Sequence, residues 1–298
     1  MSVETLNAPA PTPTAAEENG VFSRSGVLRR LARDKVAVIA ALLLATIGLA
    51  ALFAPLVAPY DPYLTDLTKV MQPPSAEHWF GTDNTGRDIL SRVIYGSRNT
   101  LMLGLVGVIL GGFLGGFLGI LAAYYRRLDG WIMRLVDVML AFPAILIGLA
   151  VAAIFGAGLT AVVIALVVAT VPDVARVARG AAIGIMSQEF MEAGRAVGVS
   201  DRTLIWRYLT LNCISTIFVF LTLRFGQIIL IGSALGFLGM GAQPPTAELG
   251  MMAAQGRDFL FMAPHIATIP SFAIFVIVLA ANLLGDALRD VLDPRLQT

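Results

Sequence analysis

Long apolar runs alternate with short polar stretches along most of this chain. About 20 consecutive apolar residues cross the hydrocarbon core of a bilayer as a helix. Six spans are predicted on that criterion, at 36–57, 100–124, 133–155, 159–179, 213–237 and 266–285. Pro172 and Asp173 interrupt the fourth, and a kink at Pro172 within a longer helix accommodates both. Pro244-Pro245 is expected to end the fifth, because proline cannot continue a helix. The pattern predicts an all-α, polytopic membrane protein with no soluble domain.

The polar stretches divide the chain further. Residues 1–24 begin with an Ala-, Pro-, Thr- and Glu-rich sequence and are predicted to be a disordered tail. The tail lacks a basic start, and the run from Val36 to Ala58 exceeds a signal peptide's apolar segment of about 7–15 residues. An uncleaved anchor is therefore expected, although Leu56-Val57-Ala58 could pass for a cleavage site. The larger connecting segments are 58–99 and 180–212.

Composition agrees with a lipid environment. The chain is 57% hydrophobic and 14% charged, against about 25% charged in a soluble domain. A net charge of +1 implies no acidic macromolecular partner and no nucleic acid. Cys213 is the only cysteine, so no intrachain disulfide can form. His78 and His265 lie far apart outside the apolar runs, are expected at the surface, and form no basis for a metal site.

Six spans place both termini on one side, and basic residues identify it. Fifteen lie in the N-terminal tail, the 124–134 turn, the 173–212 loop and the C-terminus, while five (Lys69, Arg87, Arg92, Arg98, Arg257) lie on the other side. Both termini and the 173–212 loop are thus predicted to be cytoplasmic.

Four groups of residues carry candidate chemistry. Glu189 to Val197 is helix-prone, Gly198 breaks it, and Ser200 with Asp201 can start a second short helix. The small residues Ala193, Gly194 and Gly198 would admit a partner surface, and Glu192 offers it a carboxylate; a merely solvated hairpin is the competing reading. Gly107, Gly111, Gly115 and Gly119 recur at every fourth position and share one face of the second span. That face suits either close helix packing or sliding during transport. Arg224 lies inside the fifth span with Gln227 on its face. A buried arginine there costs about 2.5–3.5 kcal/mol on insertion scales, so it should face the bundle or a wet path. It either lines a translocation path and meets anionic substrate groups, or forms a structural salt bridge. Finally, Asp83, Arg87 and Asp88 suit an ordered outer loop with an internal Asp–Arg pair, or a contact for an extracytoplasmic binding protein. Asp137 is expected to pair with Arg134, three residues back.

The loop resembles the coupling loop of ABC importer permeases. Glu192-Ala193-Gly194, Gly198, Tyr208, Thr210 and Leu211 fall in the frame of that family's E-A-A-x(3)-G-x(9)-I/H-x-L-P pattern. Its third small residue is Gly194 here, and Thr210-Leu211 stands where Leu-Pro is usual, which bears on the exit of the second short helix. Phe80-Gly81-Thr82-Asp83 through Gly86-Arg87-Asp88 resembles the outer-loop signature of the dipeptide/oligopeptide/nickel permeases. Similar matches are Ala141-Phe142-Pro143, Gly236 to Thr246, and Asn282 to Arg295. From about residue 25 onward the chain looks like the second, C-type subunit, with His78-Trp79-Phe80-Gly81 and Ala263-Pro264-His265 nearest the glutathione-permease branch.

The resemblance implies a type I ABC importer permease fold over 25–298. A first helix and outer loop would occupy 36–99, and core helices 100–285, with the coupling loop at 186–212. It implies a multi-pass protein of the bacterial inner membrane and docking of the ATPase on Glu189, Glu192, Ala193, Gly194, Gly198, Ser200 and Asp201. The implied partners are a sister permease, two cytoplasmic ATPases that hold ATP and magnesium, and an extracytoplasmic solute-binding protein. No catalytic residue, metal or cofactor is expected in this chain. Neither Lys35 nor Lys69 follows a glycine, so no Walker A loop is present. The competing functions are a stand-alone secondary transporter or channel, against which stands the scarcity of midplane carboxylates, and a non-transport scaffold.

Overall fold

A computed structural model describes residues 31–292. The predicted tail at 1–24, the basic residues Arg24, Arg29 and Arg30, and the Asp293-Pro294-Arg295 motif lie outside the described residues. Eleven helices follow one another: α1 (Lys35–Leu52), α2 (Ala54–Val57), α3 (Ile89–Tyr124), α4 (Arg126–Leu140), α5 (Ala144–Phe155) and α6 (Leu159–Met186), then α7 (Glu189–Ala196), α8 (Asp201–Thr203), α9 (Thr210–Phe237), α10 (Leu249–Gly256) and α11 (His265–Leu292). A π-helical turn, Leu204–Leu209, joins α8 to α9 without a break.

Among the described residues five helices are long and apolar enough to cross a membrane: α1, α3, α6, the continuous α8–α9 unit and α11. The sixth predicted span, 133–155, is broken. Its halves, α4 and α5, meet at 92° across Ala141–Pro143. Pro143 lacks an amide donor and restricts Phe142 before it, so the helix stops and restarts there. α4 is amphipathic and α5 alone has only 12 residues, too short to span; the described residues hold six crossings if the bent pair makes one span and five if it does not.

Other boundaries also shift. α3 begins at Ile89 rather than at 100, where the Asp88 carboxylate accepts the Ser91 N–H at 2.8 Å. α6 runs through Pro172, as expected of a longer helix, and extends beyond the predicted end at 179 to Met186. α9 ends at Phe237, well before Pro244-Pro245. Gly239 (φ +81°) closes it, with the Met240 N–H on the Leu235 carbonyl and the Gly239 N–H on the Gly236 carbonyl, both at 3.0 Å. This six-to-one plus five-to-two pattern is a Schellman motif, which satisfies the last carbonyls before either proline is reached.

α3 is the central post. Gly107, Gly111, Gly115 and Gly119 turn to α6, where a Cβ on each would strike Leu166, Thr170, Val174 or Ala178. Gly104 and Gly112 turn to α9, against Ile229 and Leu221. The missing side chains bring the three backbones close, which supplies dispersion contact that lipid cannot. α11 lies on the far side of α9, with Asn282 against Gly226. α1 packs against α11 and α3 and exposes Ile39, Leu42, Leu49 and Leu52 to its surroundings.

The two ends of the bundle differ. One, here the basic end, carries Arg126, Arg127, Arg195, Arg202 and Arg207. The other carries the 58–88 segment and α10.

Candidate functional site

At the basic end, α7 and α8 form the helix–bend–helix expected from the sequence. Gly198 (φ +83°) makes the bend, with the Val199 N–H on the Gly194 carbonyl and the Gly198 N–H on the Arg195 carbonyl, both at 3.0 Å. This is a second Schellman closure, and it needs a left-handed residue where glycine is least strained. Ser200 occupies the cap position of α8 with extended backbone, but its hydroxyl pairs with the Thr203 hydroxyl at 3.0 Å rather than with a backbone amide. Glu189, Glu192 and Ala193 are exposed on one side of α7. Met191, on the other side, is fully buried with Leu204, Leu209 and Cys213 against Ile120 and Ala182. The loop is therefore a rigid ledge: an apolar underside locked into α3, α6 and α9, and an acidic, small-residue upper face left open.

Asp201 adds a second tie. Its carboxylate accepts the Tyr124 hydroxyl at 2.6 Å, and the Arg195 guanidinium lies 5.8 Å from the centre of the Tyr124 ring. The end of α3 is thus joined to both arms of the loop. At Thr210-Leu211 the second short helix has no exit, because the π-helical turn carries it directly into α9.

α4 is clamped to the basic half of α6. Arg179 binds both carboxylate oxygens of Asp129, at 2.6 and 2.7 Å. Asp137 pairs with Arg176 at 2.5 Å and not with Arg134; the broken span swings α4 against α6, which brings the interhelix partner within reach.

At the opposite end, Asp83, Arg87 and Asp88 are all buried. The Arg87 Nε donates to Asp83 at 2.7 Å, and the Arg92 guanidinium lies 3.4 Å from the same carboxylate. Asp83 also accepts the Thr85 N–H and hydroxyl at 2.8 Å. Asp88 binds His78 Nδ1 at 2.9 Å and the Ser91 hydroxyl at 2.8 Å. His78 is therefore buried, contrary to the surface position expected of it, because Asp88 gives it a polar partner inside the loop. These side chains bond to one another and point inward. The exposed groups at this end include Leu64, Leu67, Trp79, Phe261 and Met262, with the ionised Glu77, Arg257 and Asp258.

Arg224 and Gln227 lie at mid-height. The Arg224 Nη1 donates to Gln227 Oε1 at 2.7 Å, and its Nη2 forms an ion pair with Asp173 of α6. The salt bridge is within this chain. Asp173 is the fifteenth of 28 residues in α6, and Arg224 the fifteenth of 28 in α9. The helices run antiparallel, so the pair sits roughly 21 Å from either helix start.

Residues 115–298 match the family described as binding-protein-dependent transport system inner membrane component. The chain belongs to this family. The family's members are multi-pass inner-membrane transport components, so this chain is the permease of an ABC importer. Residues 25–74 of this permease additionally match the N-terminal transmembrane domain of oligopeptide transport permease C. The permease is 43% identical over 274 residues to the glutathione transport system permease protein GsiD of Escherichia coli O6:K15:H31, covering 90% of this chain and 89% of that one. It is 42% identical over 275 residues to the GsiD protein of Pectobacterium atrosepticum, covering 91% and 90%. In fold it resembles the inward-facing MetNI methionine ABC transporter, with a TM-score of 0.57 at 19% identity over 68% of this chain and 97% of that one. An amino acid ABC transporter crystallised with histidines gives 0.51 at 21% identity, over 66% and 92%.

Sequence reasoning about the permease missed four side chains. Tyr124 ended an apolar run and gave no sign of its partner. Asp173 falls inside the fourth predicted span, but nothing in the sequence names its partner. Met191 reads as one more apolar residue in a polar segment. Glu248 lies in a stretch with no periodicity, yet it is buried and caps α10, accepting from the Gly250 and Met251 N–H groups at 2.8 and 2.9 Å. Burial raises its pKa above the ordinary carboxylate value, against the lowering effect of those hydrogen bonds.

Proposed function

We propose that this chain is one of two permease subunits of an ATP-driven importer for glutathione or other short peptides. It forms half of the translocation path and is driven by ATPases that dock on the α7–α8 ledge at the cytoplasmic face. The observation that carries this reading is the ledge itself. Its acidic and small residues, Glu189, Glu192 and Ala193, are exposed, while Met191 and Leu204 anchor it to the membrane helices. A force on that face is transmitted to α3, α6 and α9 together. Gly194, Gly198, Ser200 and Asp201 set the shape of the ledge.

The basic end is the cytoplasmic one on this reading, in line with the distribution of lysine and arginine. A binding protein meets the opposite end, where Leu64, Leu67, Trp79, Phe261 and Met262 are among the exposed apolar groups and Asp83, Arg87 and Asp88 hold the loop from within. Arg224 and Gln227 border the path. The peptide substrate is suggested by the similarity to the glutathione permeases, and selection among peptides falls largely to the binding protein.

The test is mass spectrometry of the complex captured from native membranes through a tag on this chain. Two ATPases, a sister permease and a binding protein are expected. An intact complex without an ATPase would favour a stand-alone transporter.

A further inference from the structure

We propose that Asp173 and Arg224 form an internal binding site for the substrate's ammonium and carboxylate groups. The inference rests on the importer reading above and adds a substrate class to it: solutes that carry both charges.

The pair is placed where charge is costly. Asp173 is the fifteenth of 28 residues in α6 and Arg224 the fifteenth of 28 in α9. In the absence of ligand each neutralises the other. A ligand carrying only a carboxylate would take Arg224 and leave Asp173 alone in the bundle. Removing one partner of an ion pair inside a bundle leaves the other charge uncompensated. A ligand that carries an ammonium and a carboxylate replaces both partners at once and leaves no orphan charge. The pair thus selects zwitterions by penalising the alternatives.

The surrounding groups suit an exchange rather than a permanent strut. Neither partner is sealed, with 22% of the Arg224 side chain and 28% of Asp173 exposed. The Arg224 Nε is buried and has no hydrogen-bond partner among the described residues, so Asp173 and Gln227 hold the guanidinium only through its two terminal nitrogens. Gln227 is exposed beside it and already holds one guanidinium nitrogen, which keeps the fork oriented when Asp173 lets go. The Phe220 ring lies 6.0 Å from the guanidinium and supports the cation from its face. α6 and α9 are two of the three helices that the ledge packs on, through Ala182 and Cys213. Exchange of the Asp173–Arg224 bond for substrate bonds would unlatch these helices at mid-height.

The experiment uses the whole complex in proteoliposomes with its binding protein, and glutathione, Ala-Ala and Ala-Ala-Ala as probes. Two double variants avoid an orphan charge: Asp173→Asn with Arg224→Gln, and the reversed pair Asp173→Arg with Arg224→Asp. Both are expected to assemble and to hydrolyse ATP. Peptide uptake falls at least tenfold in the neutral Asn/Gln variant and less in the reversed pair, which still presents one charge of each sign. Uptake at the wild-type rate in the neutral variant would overturn the site and leave the pair structural. If the wild-type complex takes up no probe with ATP, the importer reading fails instead. A measurement on the wild-type complex guards against misfolded variants. Phenylglyoxal modification of Arg224, mapped by mass spectrometry against exposed Arg257, is expected to fall at least twofold with saturating glutathione or Ala-Ala. N-acetyl-Ala-Ala-amide should give no protection. Equal modification with and without the zwitterions would overturn the proposal.

Discussion

The hydroxyl of Tyr124, the last residue of α3, donates to the carboxylate of Asp201, the first residue of α8, at 2.6 Å. This bond joins the central post of the bundle directly to the ledge. Tyr124→Phe removes the hydroxyl and keeps the ring. The loss should be about 0.5–1 kcal/mol, at the low end for a bond to a charged group because the pair is exposed. ATP hydrolysis by the assembled complex is expected to persist while substrate uptake per ATP falls severalfold. Parallel measurement of both rates checks it, and an unchanged ratio would remove Tyr124 from the coupling route.

Gly198 and Gly194 should respond differently to alanine. Gly198 has φ +83° and open space around it, so Gly198→Ala pays only for left-handed backbone, about 1–2 kcal/mol. Gly194 is helical, and its added Cβ would meet one atom within 4 Å, the Leu204 Cδ2 at 3.0 Å, which is the end of a flexible side chain. Gly194→Ala should be nearly neutral. Quantitative recovery of the ATPase on the tagged permease should drop for the first variant and hold for the second.

The glycine face of α3 offers a similar contrast. A Cβ at Gly119 would lie 2.8 Å from the Ala178 Cβ and 2.9 Å from the Arg179 backbone nitrogen, neither of which can step aside. Gly119→Ala is expected to cost about 1–3 kcal/mol by forcing α3 and α6 apart. At Gly116 the nearest atom is the Ile217 Cδ1, at an ordinary 3.4 Å. Gly116→Ala should be neutral or stabilising by up to about 1 kcal/mol through helix propensity. The thermal midpoints of the purified variants rank them. If both behaved alike, close packing would not be the reason for the stripe.

Glu248 predicts a pH effect. Its folded pKa is raised by burial, so the folded state holds the proton more tightly than the unfolded chain does. Its contribution is full below the ordinary carboxylate pKa and fades as pH rises through the raised value. Relative to Glu248→Gln, which cannot titrate, the wild type should gain stability on acidification through that range. Glu248→Ala also loses the α10 cap and should be about 1–2 kcal/mol less stable than Glu248→Gln at every pH, since neither titrates. Thermal midpoints from neutral to mildly acid pH test both, and parallel curves for wild type and Glu248→Gln would exclude the titration.

Hydrophobic periodicity alone located every long helix, because lipid demands about 20 apolar residues per crossing whatever the helix packs against. The bend at Gly198 and the exposed acids of α7 were legible for the same local reasons: a left-handed residue and a polar stretch between apolar ones. The glycine stripe announced a close contact, but not that α6 and α9 share α3 between them. Local rules carried the fourth span through Pro172 but put the end of the fifth at Pro244-Pro245, since a proline shows where a helix cannot continue and not whether a glycine ends it sooner. Partners across helices were beyond the sequence altogether. Asp173 with Arg224, Tyr124 with Asp201, Asp137 with Arg176, and the burial of His78 and Glu248 depend on which faces meet and at what height. Only the tertiary structure decides these, because a buried charge must find its counterpart in space, whatever its distance along the chain.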